Sequence, residues 1–152
     1  MTRMFSLANL GKSLIVLSVF TSLSVMSNDF GKEVEYEVSI TNVTKKQIFT
    51  PILVATHGSS VALFKAGKPA SPQLATLAES GNPQPLATLL SANAKVMQVK
   101  TNPDVLLPGK TVKIRIKGNR IASRLSVAAM LIPTNDAFFA VNAIKLPFKK
   151  KV

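Results

Sequence analysis

The sequence contains no cysteine and no tryptophan, and its single histidine is His57. The lack of cysteine excludes disulfides, a lipid-attached cysteine and zinc sites built on thiolates. One histidine without cysteine rarely supplies the three protein ligands that a zinc site needs. Any metal site in this chain must therefore use oxygen ligands, as calcium sites do.

Carboxylates are scarce as well. The chain has 19 Lys+Arg against 7 Asp+Glu, which gives a net charge of +12. Removal of an N-terminal signal containing Arg3 and Lys12 would leave about +10. A surplus of this size favours anionic partners, and we expect membrane head groups or acidic glycans. Nucleic acid is not expected, because the phenylalanines lie in apolar runs and are not interleaved with the basic residues.

Signatures of catalysis are thin. A Ser-His-Asp triad would have to be built on His57 with Ser59 or Ser60, and the chain has no G-x-S-x-G elbow. The pattern instead predicts that His57 is a loop residue that hydrogen-bonds its own backbone. We therefore expect no enzyme and no catalytic residues, and a periplasmic hydrolase that uses His57 is the least favoured alternative.

The N-terminal stretch has the form of an export signal. Residues 1–27 combine a positively charged start with an apolar centre shorter than the roughly 20 residues of a membrane span. We predict a cleaved signal peptide, a flexible leader over 28–34 and a basic tail over 148–152. The expected location is periplasmic or extracellular, with no transmembrane anchor after cleavage.

The remainder predicts one mostly β domain over 35–147. Strict alternation over 35–40 is typical of a half-buried strand, and further strands follow at 48–55, 94–100, 111–117, 125–132 and 137–144. The period changes over 71–91, where Ser71 and Gly81 have the positions of helix caps. The turn spacing indicates an antiparallel β-sandwich with a small helical insertion around 71–91. The turn at 118–120 predicts a long hairpin between the strands at 111–117 and 125–132.

The strand at 111–117 carries a cationic stripe. Lys113, Arg115 and Lys117 alternate with apolar residues and point outward together. Such a stripe is usually a solvated face, balanced by Glu35 and Glu37 if the two strands pair. Otherwise these three side chains are the best candidate for an anion-binding surface.

A polar corner separates the last two strands. Pro133 ends the run 125–132, and Thr134, Asn135 and Asp136 follow it. Asp136, helped by Asn135 and backbone carbonyls, is a candidate calcium ligand at the rim of the sheet. The alternative is that Asp136 caps the turn by accepting backbone N–H bonds.

Four stretches together resemble a spondin N-terminal domain, a module of F-spondin-type proteins and of short exported bacterial proteins. They are YEVSITN (36–42), PILVATH (51–57), LFKAGKPAS (63–71) with Leu77-Ala-Glu79 and Gly81, and MLIPTNDAF (130–138). The resemblance implies a secreted β-sandwich related to C2 domains, a role in adhesion or surface interaction, and a calcium site with Asp136 as a ligand. The family's other carboxylate ligands lie in a later Asp-Ala-Gly-Thr-[Asp/Glu] loop that this sequence does not reach. The lack of this loop, compared with the family pattern, implies an incomplete calcium site and a C-terminally shortened domain with an uncovered sheet edge.

These observations favour an exported, non-catalytic binding or adhesion module that docks a basic β face onto anionic surfaces. The alternative is a structural or remnant domain that acts only through self-association or with another chain.

Overall fold

The structure is a computed structural model that describes residues 31–148. The predicted signal peptide and residues 149–152 of the predicted tail lie outside the described residues. The described part is mostly β and antiparallel, with two helices. Its elements are β1 (Val34–Thr41), β2 (Ile48–Phe49), β3 (Leu53–His57), α1 (Pro72–Ser80), α2 (Gln84–Ser91), β4 (Val96–Thr101), β5 (Thr111–Gly118), β6 (Arg124–Ile132) and β7 (Phe138–Lys145).

β1 and β5 form a two-stranded sheet of their own. They pair antiparallel from Val34 opposite Gly118 to Thr41 opposite Thr111. Every second residue of both strands is buried or half-buried, and the residues between them are exposed. The half-buried strands predicted from the alternation of apolar and polar residues are therefore confirmed, because this sheet has one packed face and one solvent-exposed face.

The second sheet is centred on β6. β7 lies along one edge of β6, while β2 and β3 follow one another along its other edge, and β4 pairs with β3. The predicted strand 48–55 is thus interrupted around Pro51, a residue that has no N–H for the ladder. At the interruption the Thr50 hydroxyl accepts a 3.1 Å hydrogen bond from the Met130 N–H, so this backbone donor keeps a partner.

The second sheet is covered on both faces. On one face, Val54 of β3 and Val127 of β6 pack with Ile114 and Ile116 of the β1–β5 sheet. On the opposite face, α1 and α2 cover the residues that alternate with these, and the buried side chains there are Leu53, Ala55, Leu74, Leu77, Leu86, Leu90 and Ala128. The helical insertion predicted around 71–91 therefore forms a third layer over the sandwich.

The predicted caps of α1 are confirmed. The Ser71 hydroxyl accepts a hydrogen bond from the Leu74 N–H at 3.2 Å. Gly81 ends the helix with a φ of 70°, a left-handed conformation that glycine adopts without a steric penalty.

Three expectations differ from the structure. β5 and β6 do not form a hairpin, because the half-exposed β5 belongs to the outer sheet and β6 is buried on both faces. His57 is the last residue of β3 and fully buried, so it is no loop residue. Val34, expected in the flexible leader, is the first residue of β1.

Candidate functional site

The three cations of β5 lie together on its exposed face, as the alternation predicts. The Lys113 ammonium is 2.8 Å from the Glu37 carboxylate, which is also 4.0 Å from Arg115 Nε. Lys117 is 2.8 Å from Glu33. The stripe is therefore balanced by acidic residues of β1 and of the segment before it.

These pairs shift the titration of their members. The hydrogen bond and the positive charge of Lys113 hold the pKa of the Glu37 carboxyl below its ordinary value. The same contact raises the pKa of Lys113, and the hydrogen bond with Glu33 raises the pKa of Lys117. Because all of these groups are solvent-exposed, each pair stabilises the fold weakly.

Asn135 and Asp136 are exposed at the rim of the second sheet, in the turn between β6 and β7. The turn is fixed from within, because the Thr134 hydroxyl donates to the Leu131 carbonyl and lies 3.4 Å from the Ala137 carbonyl. Nowhere in residues 31–148 do three or more His, Cys, Asp or Glu side chains gather into a possible metal site. The donors around Asp136 therefore do not fit a calcium ion, which needs several carboxylates for useful affinity.

His57 belongs to a buried polar network that the sequence did not indicate. His57 and Ser126 are both fully buried, and His57 Nε2 lies 2.8 Å from Ser126 Oγ. His57 Nδ1 lies 2.9 Å from the Gly58 carbonyl, and the Ala143 N–H donates to Ser126 Oγ at 2.9 Å. A carbonyl can only accept, so Nδ1 carries a proton, and in the neutral imidazole Nε2 accepts the serine hydroxyl.

This geometry corrects the serine partner that the sequence suggested. The serine beside the histidine is Ser126, whereas Ser59 and Ser60 are exposed in the following loop. A histidine and a serine with no exposed surface offer no place for a substrate. The pair holds β3, β6 and β7 together, and hydrolysis through His57 has no geometric support.

β7 carries a bulge beside this network. The register between β6 and β7 shifts between Leu125 and Val127, and Ala143 has a φ of 60°. The Asn142 side chain leaves the strand here, accepting from the Leu63 N–H at 2.8 Å and donating to the Phe64 carbonyl at 2.9 Å. The only signal in the sequence was one asparagine inside the apolar run 137–144.

The comparison with known families settles what the chain is related to. A family model described as Spondin_N matches residues 37–151, about three-quarters of the chain. The chain belongs to the spondin N-terminal domain family. No curated protein matches it.

Membership gives the fold a context. The spondin N-terminal domain is not a known enzyme family, and it is typical of secreted proteins. In residues 31–148 no helix is both long and apolar enough to span a bilayer. The segment 130–138, one of the four stretches that carry the resemblance, forms the end of β6, the rim turn and the start of β7.

The helical side of this spondin domain has two open depressions. One, of about 330 Å³, lies between α2 and β4, and the other, of about 540 Å³, lies on the outer side of the helices. Their linings are mostly neutral, with Lys100 as the charged residue of the first. Neither lining contains a histidine, an aspartate or a glutamate, so a hydroxyl such as that of Ser91 has no imidazole or carboxylate beside it to act as a base.

Proposed function

We propose that this spondin N-terminal domain is an exported, non-catalytic module that binds anionic surfaces in the periplasm or outside the cell. The observation that carries the proposal is that several exposed lysines form no ion pair with a carboxylate. Within the residues that the structure describes, Lys95, Lys100 and Lys145 form no ion pair, whereas Lys113 and Lys117 do. Such a surface attracts polyanions over a distance of about one Debye length.

The β5 stripe is one candidate contact surface within this proposal. Lys113, Arg115 and Lys117 project together from an exposed sheet face. Glu37 and Glu33 neutralise part of their charge, so an anion must compete with carboxylates already 2.8 Å from the two lysines. We therefore expect this stripe to contribute less than its sequence suggests.

The test is adsorption of the purified protein to anionic vesicles and to an acidic glycan resin. The expected result is retention at low ionic strength that fades as salt is added, because screening weakens contacts between exposed charges. If the protein binds neither the vesicles nor the resin at any salt concentration, the proposal is wrong.

Self-association is the second candidate, and one observation favours it. In the described part of the chain β6 is the one strand that pairs with β7, so the outer edge of β7 has no strand partner, although the Asn142 side chain there bonds to Leu63 and Phe64. Open edges are templates for pairing with another copy, although the bulge at Asn142 and Ala143 opposes this. Size-exclusion chromatography separates the two: a dimer at micromolar concentration supports edge pairing, and a monomer at all concentrations excludes it.

The proposed binding does not depend on calcium. An incomplete calcium site at Asp136 and Asn135 stays a prediction of the family resemblance, and the acidic side chains of residues 31–148 do not complete it.

A further inference from the structure

Two like charges face each other where β6 begins and β7 ends. Arg124 and Lys145 are direct partners in the antiparallel register. Arg124 donates to the Ala143 carbonyl at 3.4 Å, while Lys145 is exposed and has no carboxylate partner in residues 31–148. Like charges in directly opposed positions destabilise a sheet. An anion placed between these two side chains would relieve that repulsion.

The same end of the second sheet collects further cationic charge. β3 ends and β4 begins there, and the Lys95 carbonyl accepts from the Gly58 N–H at 2.8 Å. Two acids of the outer sheet lie near this end: Glu33 forms an ion pair with Lys117, and Glu35 lies opposite Lys117 in the register.

Apolar side chains are exposed at this end as well. Ile121, in the loop before β6, is 66% exposed, and its carbonyl lies beside Gly58. Ile144 is 51% exposed and directly precedes Lys145. Successive residues of a strand point to opposite faces of the sheet. A partner therefore reaches both Ile144 and Lys145 only if it meets the end of the sheet head-on, parallel to the strand direction. We name the basic end as Lys95, Ile121, Arg124, Ile144 and Lys145.

The opposite end of the sandwich is apolar too but differs in charge. Val43 is 86% exposed there, and Lys45 and Lys46 follow it. Two exposed carboxylates, Asp104 and Asp136, lie in the neighbouring turns of that end. A negative surface would be repelled by these aspartates, so the basic end fits an anionic partner better.

We propose that the basic end is a contact surface for an anionic lipid bilayer. Arg124, Lys145 and Lys95 would meet phosphate head groups, and Ile121 and Ile144 would enter the boundary between head groups and acyl chains. The isoleucines decide the kind of partner, because an acidic glycan offers no apolar layer to cover them. The inference rests on the proposed function and names its site and its ligand class.

The experiment measures co-sedimentation of the full chain with phosphatidylcholine vesicles, with and without phosphatidylglycerol. The expected result is binding only when phosphatidylglycerol is present. In Arg124→Gln/Lys145→Gln the partitioning should fall roughly 30-fold, since each basic residue near an anionic leaflet contributes roughly fivefold. Lys145→Gln alone should melt no lower than the parent protein, because it removes the like-charge pair and keeps the hydrogen bond from Arg124 to the Ala143 carbonyl.

A matched control and a second variant separate the outcomes. Lys45→Gln/Lys46→Gln removes the same charge from the opposite end and should bind within about twofold of the parent. Lys145→Gln alone changes one exposed residue and keeps the test valid if the double variant folds poorly.

Two results would overturn the inference while leaving the proposed function intact. One is equal loss of binding in the control pair and in the Arg124/Lys145 pair. The other is unchanged vesicle binding in Ile144→Ser together with equally tight binding to a soluble acidic glycan, which would indicate a polyanion without an apolar layer. Absence of any binding by the parent protein, to vesicles or to glycan, would refute the proposed function itself.

Discussion

Replacing Ser126 by alanine tests whether the buried His57 network stabilises the second sheet. The Ser126 hydroxyl lies 2.8 Å from His57 Nε2 and accepts the Ala143 N–H at 2.9 Å. Because the histidine and the serine are fully buried, water does not replace the lost partner without a structural change. The substitution leaves an acceptor on His57 and a donor on Ala143 without their hydrogen bonds.

The size of the effect follows from these two groups. Each buried polar group that loses its partner costs about 1–3 kcal/mol, so Ser126→Ala should lower the free energy of unfolding by about 2–6 kcal/mol. With an m-value of about 2 kcal/mol per molar urea, the unfolding midpoint should fall by about 1–3 M. Urea titration followed by circular dichroism measures this shift directly.

Ser59→Ala is the matched control. Ser59 is exposed in the loop after His57 and is the partner that proximity in sequence favours. Its replacement should change the free energy of unfolding by no more than about 0.5 kcal/mol, as is usual for surface positions. If Ser126→Ala is as mild as the control, or Ser59→Ala is as harmful as Ser126→Ala, the network does not hold these strands together.

Three further outcomes are expected. The pKa of Glu37, followed by NMR, should lie below its ordinary value of 4.5, and Lys113→Gln should raise it towards that value. The ion pair stabilises the fold fully above the unfolded pKa of Glu37, and this stabilisation is lost as the pH falls through the folded pKa. An unchanged pKa of Glu37 in the variant would contradict the ion pair. Gly81→Ala should lower the free energy of unfolding by about 2–4 kcal/mol in urea, because φ is 70° and the new Cβ would lie 2.5 Å from Thr50 Cγ2; a neutral result would mean that the helix end moves freely. Millimolar calcium should shift the melting temperature by less than about 1 °C, equally in the parent protein and in Asp136→Asn; a larger shift that the variant abolishes would establish a calcium site.

The elements that sequence predicted well are those whose signals are local. β1 and β5 each have one wet face, so polarity alternates along them and their bounds are visible in one short window. The caps of α1 are equally local, since Ser71 and Gly81 act on backbone groups within one or two turns of themselves.

Pairing between distant segments was not visible in this way. The turn at 118–120 predicted a long hairpin, yet β5 pairs with β1, which lies about 75 residues earlier in the chain. The partner of His57 lies 69 residues away, and the serine that completes the network stands in a run of small and apolar residues. Because β6 is buried on both faces, its sequence does not alternate between polar and apolar residues. Its local pattern therefore does not indicate which strands pair with it.

The position of the positive surface is likewise a property of the fold. Composition gives the sign and size of the net charge, but the register of the strands decides which cations have a carboxylate beside them and which do not. On β5 the register places Glu37 opposite Arg115 and beside Lys113, so an apparent stripe of cations is largely compensated. On β6 and β7 the register brings Arg124 against Lys145, two residues that are unremarkable in sequence, and leaves their charge uncompensated. The contact surface that we propose therefore lies where strand pairing brings like charges together, and the regular stripe of cations on β5 is a weaker guide to it.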